Sequence, residues 1–85
     1  MDICAGGKIS IGDTQIEFTN DHPVDCKITS CDMPQWPKTD PVIPKSKGGV
    51  KGVGIVQLTG PATQGLYNYT PDCCKKQTDP QIKVQ

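Results

Sequence analysis

Hydrophobic and polar residues alternate along most of this chain, the period-two signature of strands buried on one face. Lys8-Ile9-Ser10-Ile11 alternates and then meets a turn at Gly12-Asp13. Gln15-Ile16-Glu17-Phe18-Thr19 follows with Ile16 and Phe18 on the inward side, and Asn20-Asp21-His22-Pro23 supplies turn chemistry. Val24-Asp25-Cys26-Lys27-Ile28-Thr29 alternates again, which places Val24, Cys26 and Ile28 on the buried face. No segment carries a sustained 3.6-residue period bounded by helix caps, and no internal repeat is evident.

The alternation stops at residues 32 to 49. Pro34, Pro37, Pro41 and Pro44 forbid a central strand there, and Lys45-Ser46-Lys47-Gly48-Gly49 reads as a mobile loop. Trp36 and Ile43 are expected to anchor this excursion. Strands resume across Val53 to Leu58, Gly65 to Thr70 and Gln81 to Val84, with a turn at Gly60-Pro61 and a stop at Pro71-Asp72-Cys73-Cys74. Six or seven short strands separated by turns predict an all-β chain, a small Greek-key β-sandwich over residues 1–85 with one long Pro/Gly-rich loop at 32–49. The expected core is Ile16, Phe18, Val24, Ile28, Val56, Leu58, Tyr67 and Ile82.

Composition narrows what such a fold can do. The chain has 85 residues, a hydrophobic fraction of 34%, and nine Lys against nine acids with no Arg. Zero net charge without Arg argues against a nucleic-acid partner, which needs a basic face. No apolar run approaches the roughly 18 residues of a membrane span. Ordering costs on the order of 1.5 kcal/mol per residue, which a core this small offsets only narrowly. Covalent staples are therefore expected from Cys4, Cys26, Cys31, Cys73 and Cys74.

Five cysteines are an odd number, and two disulfides with one free thiol is the simplest arithmetic. Spacing leaves the connectivity open. The residues ahead of Cys4 contain no apolar signal region, so the chain is either a mature portion with an added Met or a cytosolic protein with reduced thiols. The cysteine density favours the first, hence a periplasmic or extracellular location.

The order of the pieces resembles the cupredoxin-like β-sandwich of the plastocyanin and azurin type. One stretch that carries the likeness is Ile16-Glu17-Phe18-Thr19-Asn20 with His22-Pro23-Val24-Asp25-Cys26-Lys27-Ile28. The other runs from Gly60-Pro61 through Gly65-Leu66-Tyr67-Asn68-Tyr69 to Cys73-Cys74 and Ile82-Lys83-Val84, similar to the closing hairpin that carries the family's ligand loop. The copper ligands do not carry over. The resemblance puts Cys26 at the first His position, Thr70 or Pro71 at the Cys position, Cys74 or its neighbour at the second His, and Asp79 near the Met. A blue-copper site needs two His, and this chain has one. The resemblance thus implies a ligand corner replaced by cysteines, with a Cys26–Cys74 disulfide that closes about 50 residues and contributes on the order of 4 kcal/mol. An immunoglobulin-like sandwich offers the same alternation.

The cysteine cluster is the one chemical constellation. Disulfides, with Cys26, Cys31, Cys73 and Cys74 as the paired set, are the plainer reading. The sharper one is a soft-metal site in which these thiolates, with His22 or Met33 in reserve, hold Cu(I) or Zn(II). The spacing is wrong for a zinc ribbon, and adjacent Cys73 and Cys74 point apart on an extended chain, so they are expected to pair with different partners. His22 reads as an exposed turn residue. Asn68-Tyr69-Thr70 is a formal glycosylation acceptor, with Asn68 outward if Tyr67 and Tyr69 face in. Lys45, Lys47 and Lys51 lack the order of a phosphate loop. Met33 and Trp36, on the long loop, are the candidate contacts for a protein partner or a glycan, against the plainer reading that Trp36 covers the end of the core.

One His, three Ser and no clustered carboxylate pair argue against an enzyme. The expected function is a non-enzymatic structural or binding module without a resident cofactor, and its alternative is a metal-handling protein with Cys ligands. A monomer is expected unless the odd cysteine pairs between chains.

Overall fold

The computed structural model describes residues 1–75 and 78–85 and contains no helix among them. Seven strands are present: β1 (Gly7–Ile9), β2 (Gln15–Asn20), β3 (Cys26–Cys31), β4 (Val42–Ile43), β5 (Gly52–Gln57), β6 (Gly65–Pro71) and β7 (Gln81–Val84). They form a five-stranded sheet in the order β1-β7-β6-β3-β4 and a two-stranded sheet of β2 and β5. The chain crosses between the sheets at β1–β2, β2–β3, β4–β5 and β5–β6. All neighbours run antiparallel except β1 and β7, which are parallel. The all-β expectation thus stands.

Alternation is borne out in detail on β2, where Ile16, Phe18 and Asn20 are buried and their neighbours are not. On β5, Gly52, Gly54 and Val56 face inward while Val53 and Ile55 face water. The two glycines admit β4 and the chain just after it. A Cβ on Gly54 would lie 2.7 Å from the Ile43 Cδ1, and one on Gly52 would collide with the Pro44 carbonyl. β4 itself lies inside the stretch expected to be loop. Pro41 and Pro44 flank it and limit it to two residues at the sheet edge, where it pairs with Cys26 and Lys27.

The N-terminal segment contributes to both sheets. Thr19 donates to the Met1 carbonyl and Ile3 donates to the Thr19 carbonyl, which lays residues 1–3 beside β2. The chain then turns and enters the larger sheet as β1. This path buries Ile3 completely and brings its carbonyl within 2.8 Å of the Tyr69 hydroxyl, which donates to it.

Aromatic contacts form the middle of the core. Phe18 meets Tyr69 edge-on with ring centroids 5.5 Å apart and Trp36 edge-on at 6.4 Å. Burial, with the nearby Asp2 charge, pushes the Tyr69 phenol well above its ordinary range.

Four expectations need correction. Val24 is 55% exposed, because β3 begins only at Cys26 and the preceding residues belong to the turn. Tyr67 is only half-buried, its hydroxyl donating to the Thr63 and Gln64 carbonyls, while Tyr69 takes the fully buried position. The first strand begins at Gly7 and ends at Ile9, so Ile11 is exposed, since Asp13 caps the turn by accepting from the Ser10 amide. Met33 is a core residue at 3% exposure, so it has no surface to offer a partner. A long excursion must be held by apolar anchors, and Met33, Ile43 and half-buried Trp36 serve that purpose here.

Phe18→Ala removes the ring that joins Tyr69 to Trp36 and is expected to lower stability by about 3 to 5 kcal/mol. Urea denaturation followed by Trp36 fluorescence measures it. A parent-like midpoint would show that the aromatic contact does not hold the two sheets together.

Candidate functional site

The chemistry gathers at one end of the two sheets, where β3 begins and β6 ends. The β3–β6 register decides the arrangement. Ile28 lies opposite Pro71, and the ladder continues one step as the Lys27 amide donates to the Asp72 carboxylate at 2.8 Å and the Asp72 amide donates to the Lys27 carbonyl. A further step sets Cys26 opposite Cys73, and these two form a disulfide with Cα atoms 5.1 Å apart. Cys74, the next residue, bonds to Cys4 of the N-terminal segment, with Cα atoms 5.6 Å apart. Adjacent cysteines thus take different partners, but not because the chain is extended: residues 72 and 73 form a turn, and the two Sγ atoms stay 3.8 Å apart.

The expected Cys26–Cys74 bridge is off by one residue, and its correction is Cys26–Cys73 with Cys4–Cys74. Cys31 is not part of the paired set. It sits at the far end of β3, about 16 Å along the strand from Cys26, opposite Tyr69. It is the free thiol, partly buried, and desolvation raises its pKa to about 11, against the lowering effect of the Met33 backbone amide and with a lesser push from Asp32. Distance also removes Cys31 and Met33 from any metal set built around Cys73.

His22 is not an exposed turn residue. It is half-buried, and its Nε2 lies 3.2 Å from the Cys4 Sγ. Asn20 holds it there. Asn20 is the one buried polar side chain among the described residues, at 0% exposure. Its amide donates to the Val24 and Ile43 carbonyls at 2.9 and 3.2 Å, and its carbonyl oxygen accepts the His22 amide at 2.9 Å. One side chain therefore closes the β2–β3 turn, ties it to β4 and aims the imidazole at the disulfides. Ser46 adds two bonds to the His22 carbonyl, from its amide at 2.9 Å and its hydroxyl at 3.0 Å.

The ligand atoms of Cys4, His22, Cys73 and Cys74 all lie within 4.8 Å of one another. The Sγ atoms of Cys73 and Cys74 are 3.8 Å apart although each belongs to a different disulfide. Cys26, Asp72 and Cys73 form an overlapping group. A sulfur in a disulfide is no thiolate, so in the oxidised state this centre cross-links the fold and offers a metal only the imidazole and the Asp72 carboxylate.

Among the other candidates, Asn68 is exposed between Tyr67 and Tyr69 on β6, and its side-chain oxygen accepts from the Gln81 amide at 2.8 Å. Trp36 keeps part of its ring at the surface. Lys45, Lys47 and Lys51 are exposed around the Lys47–Val50 turn. An open depression of about 400 Å³ lies next to the cysteine corner, lined in part by Cys4, Lys8, Leu66, Asp79 and Lys83. Sequence reasoning missed Cys4 as a bridge partner and Asn20 as the turn's lock. Nothing in local pattern distinguishes Cys4 from the other cysteines, and Asn20 carried the signal of a turn residue only.

No family model, no curated protein and no solved structure matches the chain.

Two outcomes are expected from this geometry. Asn20→Ala strands two carbonyls and an amide and should cost about 1 to 3 kcal/mol in urea denaturation, with both disulfides intact by mass. A stability equal to the parent's would show that the turn closes without it. Cys31 holds its proton to higher pH in the folded state, so at pH 8 its alkylation should be about 100-fold slower than that of a cysteine in the unfolded chain, rising with pH towards 11. Equal rates in buffer and in denaturant would contradict the burial.

Proposed function

We propose that the protein is a non-enzymatic β-sandwich module that works by presenting a stable surface in an oxidising compartment outside the cytosol, with its cysteine corner serving as a double staple. The observation that carries this reading is the pair of bridges, Cys4–Cys74 and Cys26–Cys73, which converge on adjacent residues and tie the N-terminus and β3 to the end of β6. Paired cysteines at this density suit secreted and periplasmic proteins. The sole His supports a role without catalysis, because Nε2 faces a sulfur already bonded to Cys74 and has no thiol to activate. With zero net charge and no Arg, the reading gives no part to nucleic acid, and among the described residues no helix is long and apolar enough to cross a membrane. Half-buried Trp36, on the long loop, is the aromatic contact this reading offers to a protein partner.

A second reading, a soft-metal protein with thiolate ligands, is favoured by the closeness of Cys4, His22, Cys73 and Cys74. The likeness to cupredoxins adds only an expectation of scaffold.

Intact mass without reductant, before and after alkylation, separates the two. A mass about four hydrogens below the reduced chain, with one alkylatable thiol at Cys31, is expected. Five alkylatable thiols in freshly purified protein, with added mass that a chelator removes, would overturn the module reading in favour of the second.

A further inference from the structure

We infer that reduction of both disulfides converts the cysteine corner into a closed tetrahedral zinc site with Cys4, Cys73, Cys74 and His22 as its four ligands. The inference rests on the second reading above and goes further, in naming the ligand set, the cation class and the redox state that exposes it.

The argument is geometric. Zinc in structural sites takes four ligands tetrahedrally, with Zn–S about 2.3 Å and Zn–N about 2.0 Å, which sets S···S edges at about 3.8 Å and S···N edges at about 3.6 Å. The Cys73 and Cys74 sulfurs are 3.8 Å apart, and Cys4 Sγ and His22 Nε2 are 3.2 Å apart. No pair in the set exceeds 4.8 Å, about 1 Å beyond such an edge. The Cys4–Cys74 pair has to open most, and its bond is lost on reduction together with Cys26–Cys73, which frees the Cys73 sulfur. All four residues are half-buried, so the site is screened yet open to entry.

Three separate segments supply the ligands, and each is positioned by something other than the disulfides. Asn20 and Ser46 hold the His22 turn. The β3–β6 ladder carries Asp72 up to Cys73. The Cys4 amide donates to the Asp2 carboxylate at 2.8 Å, while residues 1–3 pair with β2. The ligand frame therefore has supports besides the disulfides, and metal binding re-forms those supports together with the site. Cys26 is excluded because four ligands complete the shell without it, and Cys31 because it lies at the other end of β3.

The step balances as follows. A dithiol reductant gives two electrons to each disulfide and becomes a disulfide itself, so two dithiols yield four protein thiols. Cys4, Cys73 and Cys74 then lose three protons to solvent as their sulfurs bond to zinc, and neutral His22 supplies the Nε2 lone pair. Cys26 keeps its proton, and zinc keeps its oxidation state. The bound ion joins the same N-terminal and β6 segments that Cys4–Cys74 joins in the oxidised form, and adds the His22 turn.

The test is an anaerobic titration of the fully reduced chain with Co(II), followed by displacement with Zn(II), with strand circular dichroism recorded throughout. Expected are one equivalent of tetrahedral cobalt with thiolate charge-transfer absorption, recovery of the strand spectrum as metal binds, and none of these in the oxidised protein. His22→Ala should weaken binding by about tenfold or more, while Cys26→Ser and Cys31→Ser should bind like the parent. Undiminished binding in His22→Ala, or loss of binding in Cys26→Ser, would overturn this ligand set and leave metal binding by other thiols standing. An unfolded chain that collects cobalt through any three thiols would show itself in that way. No tetrahedral signal in the reduced parent would overturn the ligand set and the metal reading together, whereas the module reading is judged by the mass of the purified protein.

Discussion

The pairing of β3 with β6 is the constraint on which the rest of the molecule depends. Its register sets Ile28 against Pro71, carries the ladder to Lys27 and Asp72, and leaves Cys26 facing Cys73. The turn at residues 72 and 73 sets Cys74 beside the N-terminal segment, with its sulfur 3.8 Å from that of Cys73. The bridge to Cys4 then follows, and with it the path that lays residues 1–3 along β2 and feeds β1 into the larger sheet beside β7. At the other end of the strand the register shifts between Ile28 and Ser30, and Cys31 comes to face Tyr69 rather than another cysteine.

Covalent closure matters here because the core is small. Its buried apolar residues centre on Phe18, Tyr69 and a shell of Ile and Val. The two bridges span sequence separations of 70 and 47, so each removes chain entropy from the unfolded state worth on the order of 4 kcal/mol. That is comparable to a large share of the net stability of an ordinary small domain. The same sulfurs cannot staple and chelate at once, so the proposed zinc site requires both bridges to be open. His22 belongs to that corner because Asn20 holds its turn.

The long excursion after β3 shows how apolar anchors turn a Pro-rich stretch into structure. Met33 and Ile43 reach the core and Trp36 caps Phe18, so what reads as a loop is tethered at three points. The proline pattern correctly forbade a central strand. A two-residue edge strand between Pro41 and Pro44 was still compatible with it, and glycines at 52 and 54 on β5 made room.

Local alternation determined the positions of β2, β5, β6 and β7 to within about a residue or two, because period two is written in neighbouring residues and needs no partner to be seen. It also determined that Ile16, Phe18, Cys26 and Ile28 face inward; Cys73 and Cys74 do take different partners, but from a turn and not from alternation. Parity indicated two bridges and one thiol. Tertiary structure alone decided which cysteines meet, because a slip of one residue in the β3–β6 register exchanges Cys73 for Cys74 while leaving every local pattern unchanged. It alone decided that Cys4, some 70 residues away, belongs to the same corner, and that a turn histidine lies against its sulfur. Contacts between distant segments are set by register and packing across the sheets, and no stretch of this chain read by itself contains that information.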